Sequence, residues 1–92
     1  MIHFVFNSDN RDLTTGLYLM DAARREGLPV SWSPKGVPEN VSPSLVIKVD
    51  DGDIDNYKYN SLECPTVWWF VDPNTDIDRG VHIGKNFDLT FS

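Results

Sequence analysis

Ninety-two residues, 40% of them apolar and 12% aromatic, suffice for one small packed domain and argue against a disordered chain. Fourteen acidic residues against eight basic ones give a net charge of −6 with no basic cluster, so neither nucleic acid nor an anionic membrane is an expected partner. The single cysteine, Cys64, cannot form an internal disulfide, and the N-terminal stretch reads as neither signal peptide nor membrane span; a cytoplasmic location is expected.

In chain order, Ile2 to Phe6 is a short apolar run that stops at the polar cluster Asn7-Ser8-Asp9-Asn10, which reads as strand one. Thr14 or Thr15 then caps a helix running to about Glu26. Its expected core stripe is Leu13, Leu17 and Met20, flanked by Gly16 and Ala23, with Gly27 ending it. Val30 to Ser33 forms a brief second strand, and "SPKGVPENVSPS" (33–44), with three prolines, is a loop. Leu45 to Val49 is strand three, ending in "DDGD"; residues 54–61 form a helical turn. Cys64-Pro65 leads into a strand beginning at Thr66 and stopping at Asp72. "RGVHIGKN" is weakly helical at best, and Leu89 to Phe91 is the final strand.

The run Thr66-Val67-Trp68-Trp69-Phe70-Val71 does not alternate apolar with polar residues, as a strand buried on both faces would not. Strands separated by helical or looped connections imply an α/β fold, a small Rossmann-like or flavodoxin-like parallel sheet. The expected order is 2-1-3-4-5 with strand one central, through right-handed crossovers. Trp68 and Trp69 then point to opposite faces. Only the first connection holds a convincing helix, so the sheet is incompletely covered by helices. Either turns and long loops cover the tryptophans, or another domain or subunit does, and self-association of the isolated chain is expected.

Open parallel sheets bind ligands at the carboxyl ends of their strands. Those ends carry Asn7, Ser8 and Asp9, then Asp50, Asp51 and Asp53, then Asp72 and Asn74. The competing explanation is that Asp, Asn and Gly are ordinary turn residues. "NSDNRDLTTG" has one glycine and is no dinucleotide fingerprint or P-loop, and no Cys or His spacing fits zinc. His3 and His82 read as structural, and Cys64 as a small buried apolar residue. Three aspartates converging from separate strand ends are a conceivable Mg²⁺ set. No basic phosphate clamp accompanies them, and no cofactor or metal is expected.

With "VIKVDDGD", "CPTVWWFVDPNTD" and "KNFDLTFS" in view, and "FNSDN" before a glycine-containing helix start, the chain resembles the N-terminal half-domain of bacterial glycosyltransferases of the spore-maturation-protein type. The resemblance implies a GT-B architecture of two Rossmann-like domains, of which residues 1–92 are one, truncated or partial, on the acceptor side. It carries over Asp50, Asp51 and Gly52 as cleft residues and Asp72 as a general base toward an acceptor hydroxyl if the enzyme inverts. Asn7, Ser8 and Asn74 share that strand-end edge as binding residues. The implied partners are a sugar acceptor and, in the complete enzyme, a nucleotide sugar. Two alternatives stand beside it: a non-catalytic flavodoxin-like binding or interaction module, and a Mg-dependent receiver-like domain. A receiver would use Asp9 and Asp50 but also needs a lysine after its last strand, and none follows.

Overall fold

The computed structural model describes residues 1–7, 15–50, 56–69 and 83–91. Five strands form one all-parallel sheet: β1 (Ile2–Val5), β2 (Val30–Ser33), β3 (Leu45–Val49), β4 (Thr66–Trp69) and β5 (Leu89–Phe91), in the order β2-β1-β3-β4-β5. The expected order therefore holds, as does the α/β class with few helices. Among the described residues, helix α1 (Thr15–Arg25) joins β1 to β2, a 3-10 turn (Tyr59–Ser61) lies between β3 and β4, and Ile83 and Gly84 are helical ahead of β5. The tryptophan strand is described as far as Trp69; Phe70, Val71 and Asp72 lie outside the described residues.

α1 ends as a glycine-terminated helix should. Gly27 takes φ +78°, its N–H donates to the Arg24 carbonyl, and the Leu28 N–H reaches back to Ala23, which satisfies carbonyls the helix leaves open. Arg24 and Arg25 in the last turn complement the negative end of the helix dipole. The buried stripe departs from the sequence expectation. Gly16 and Met20 are buried, Leu19 and Ala23 pack beside them, and Leu17 is 50% exposed. The reason is the close approach at Gly16, where a Cβ would stand 2.7 Å from the Phe6 ring. Seating the helix on Gly16 selects the 16/19/20/23 stripe and rotates Leu17 outward. Leu13 lies outside the described residues.

Each face of the sheet has its own core. Under α1, Phe4, Phe6, Met20 and Val49 are buried together, with Ile2, Leu19, Ala23, Val30, Ile47 and Trp69 against them. On the opposite face Val5, Val37, Val46 and Tyr59 cluster, joined by Val41, Tyr57, Leu62, Cys64 and Phe87. Helix α1 thus crosses one face and the loop after β2 crosses the other. Right-handed crossovers demand this when the chain steps first to one side of β1 and then to the other.

Trp68 and Trp69 take opposite faces, as alternation requires. Trp69 joins the helix-side core and lies 5.8 Å from Phe91, ring to ring. Trp68, 1% exposed, stacks on Phe87, which stacks on Tyr59, which meets Tyr57 edge-on. Among the described residues, four aromatic rings from three chain segments therefore stack on the loop-side face. Where β4 and β5 begin, Asp88 Oδ2 accepts from the Thr66 N–H (2.8 Å) and hydroxyl (3.2 Å), and the Asp88 N–H returns to the Thr66 carbonyl. The aspartate of "NFDL" is a clasp that fixes the register of the edge strand.

Candidate functional site

In an order of 2-1-3-4-5 the chain leaves β1 toward one edge and β3 toward the other, which makes their carboxyl ends the switch point where sheets of this kind bind ligands. Asn7 and Asp50 stand there. Val5 pairs with Lys48, and continuing that register sets Asn7 beside Asp50, both on the loop-side face by alternation. Asn7 is half-buried and Asp50 is 8% exposed, with its backbone N–H donating to the Trp69 carbonyl. That bond extends the β3–β4 ladder by one residue and holds the Asp50 side chain at the rim of the sheet. Of the residues expected at this edge, Asn7 and Asp50 are described, each just past the end of one of the adjacent strands β1 and β3. Ser8, Asp51, Gly52, Asp72 and Asn74 lie outside the described residues, as do Asp9, Asp53 and His82.

Sequence reasoning missed Lys48. It is buried in β3, two residues before Asp50 and on the same face. A lysine is seldom buried without a partner that meets its charge. Its signal was present: "VIKVD" places one cation inside an otherwise apolar strand in the middle of the sheet. An amide, a carboxylate and an ammonium in neighbouring strand positions give this rim both hydrogen-bond donors and acceptors.

His3 sits deeper on the same face, buried, with Nδ1 2.6 Å from Ser31 Oγ and Nε2 2.7 Å from Ser33 Oγ. Burial lowers its pKa below the usual 6.5. Both hydrogen bonds tie β1 to β2, a structural role. Cys64 is half-buried against the loop-side core. Among the described residues no three His, Cys, Asp or Glu side chains cluster as a metal site would, and no helix is long and apolar enough to cross a membrane. No family model, curated protein or solved structure matches the chain.

Proposed function

We propose that the chain is a ligand-binding doubly wound domain, serving as the acceptor-side half of a sugar-transferring enzyme. The supporting observation is the strand-order reversal between β1 and β3, with Asn7 and Asp50 following the carboxyl ends of those two adjacent strands. The Asp50 carboxyl oxygens can accept hydrogen bonds from sugar hydroxyls, and the Asn7 amide both donates and accepts, the combination that vicinal hydroxyls demand. The glycosyltransferase assignment rests on the resemblance of "VIKVDDGD" and "CPTVWWFVDPNTD", with Asp72 as base and a nucleotide sugar held by a second domain. A second reading is an interaction module that pairs with another copy. Leu89 and Phe91, 57% and 49% exposed on the edge strand beside Trp69, favour it.

The test is an NMR titration of the labelled chain with neutral oligosaccharides and with a nucleotide sugar, alongside sedimentation of the same samples. The acceptor-domain proposal predicts oligosaccharide-induced shifts centred on Asn7 and Asp50. Asp50→Asn should then weaken that binding by about tenfold, the weight of one charge-assisted hydrogen bond, while folding normally. No shift at these residues at tens of millimolar sugar would overturn it. Sedimentation as a dimer, with concentration-dependent shifts at Leu89 and Phe91, would establish the interaction reading in its place.

A further inference from the structure

Both ring nitrogens of His3 are occupied by serine hydroxyls, and a hydroxyl has one proton to give. Ser33 gives its proton to the Gly36 carbonyl at 2.5 Å. Ser33 Oγ must therefore accept from His3, so Nε2 carries the imidazole hydrogen and Nδ1 accepts from Ser31. The chain continues beyond the sheet: the Gly36 N–H donates to the Tyr59 hydroxyl at 3.1 Å. Gly36 itself is held in a conformation that suits only glycine, φ +61°, with a would-be Cβ 2.8 Å from the Tyr57 ring. One directed path, His3 to Ser33 to Gly36 to Tyr59, thus joins β1 and β2 to two of the segments that cover this face.

We propose that His3 is a proton-operated latch, whose protonation at Nδ1 releases the 34–41 loop from the sheet on mild acidification. A proton on Nδ1 turns an acceptor into a donor, so the Ser31 hydroxyl must rotate its own proton away from its only ring partner. It also sets a positive charge beneath an apolar cover. Of the described groups on this face, Ser31 and Ser33 of β2 are hydroxyls, and Lys48 of β3 is a base, not an acid that could pair with an imidazolium. Asp50 lies two residues beyond Lys48 at the rim, Tyr59 reaches His3 only through Gly36, and Lys35, Glu39 and Lys58 are exposed. Among the described residues no carboxylate forms an ion pair with His3. An opened loop lets the ring meet water and hold its proton at ordinary affinity, whereas the closed state holds it less tightly. Opening is therefore favoured as pH falls below 6.5, by up to about tenfold per pH unit until the closed-state pKa is reached.

Hydrogen exchange at the Gly36 amide, corrected for the intrinsic pH dependence of exchange, reads this directly. Between pH 6.5 and 5.5 its protection should drop by up to about fivefold while the β3 amides lose less. In His3→Gln the drop should vanish. If that variant does not fold, imidazole ¹⁵N shifts of the wild-type chain decide the matter, and should show Nε2–H at pH 7.5 with a midpoint below 6.5. The proposal is overturned by Gly36 protection that follows β3, by a drop that persists in His3→Gln, by the Nδ1–H tautomer, or by a midpoint at or above 6.5.

Discussion

The two faces of this sheet solve one problem, covering five parallel strands, by different means. The α1 face is held by a helix whose stripe 16/19/20/23 lays a continuous apolar surface on Phe4, Phe6 and Val49. Among the described residues the opposite face is covered largely by irregular segments, whose side chains follow no such period. It relies instead on a ladder of aromatic rings, Tyr57, Tyr59, Phe87 and Trp68, and on hydrogen bonds that pin the 34–41 loop to β2 and to the Tyr59 turn. Every buried polar or charged side chain among the described residues, His3, Ser33, Lys48, Asp50 and Thr66, belongs by strand alternation to that second face. A helix satisfies its own backbone; a loop must find partners in the core, and those partners bring titratable groups with them. The face that is harder to cover is also the face that carries the proposed site.

The sharpest way to break this comparison is to remove an anchor of the ladder. Trp68→Ala deletes the largest buried side chain and leaves Phe87 and Tyr59 stacked over a cavity, a loss of about 3–5 kcal/mol. Urea unfolding should register it as a fall in midpoint with m largely kept; a loss under about 1 kcal/mol would mean that the ladder does not hold the face. The helix face should respond to the opposite insult. Gly16→Ala gains about 1 kcal/mol of helix propensity but drives a methyl to 2.7 Å from the buried Phe6 ring, an overpacking cost of about 1–3 kcal/mol. A net loss of about 1 kcal/mol is expected, relieved when Phe6→Leu is added. A stabilised Gly16→Ala would show that α1 does not seat through that glycine.

Strand positions and order were legible because apolar runs bounded by turn residues mark strands, and crossover handedness leaves few topologies. The helix was legible in extent but not in rotation. Leu17 is the more apolar candidate, and only the Phe6–Gly16 approach, a contact between separate elements, decides which side faces in. The aromatic ladder was illegible for the same reason, since Tyr57, Tyr59, Phe87 and Trp68 come from three separated stretches with no shared period. At the proposed site, Asn7 and Asp50 followed from strand ends alone. Lys48 did not, because an isolated lysine in a strand is ordinarily an outward-facing residue, and burial is a property of the assembled sheet.

The smallest expected effect tests the comparison most directly: unfolding stability measured in urea at pH 7.5 and pH 5.5, for the wild-type chain and His3→Gln. The buried core under α1 contains no titratable side chain among the described residues, while the loop-side face contains His3. Burial holds the folded-state pKa of His3 below 6.5, so the unfolded chain binds the proton more readily and stability is lost as pH falls through 6.5 toward the folded value. The wild type should be less stable at pH 5.5 than at 7.5, and His3→Gln should show little of that loss. Equal or greater wild-type stability at pH 5.5, or the same loss in His3→Gln, would contradict a loop-covered face that owes its acid sensitivity to one buried imidazole.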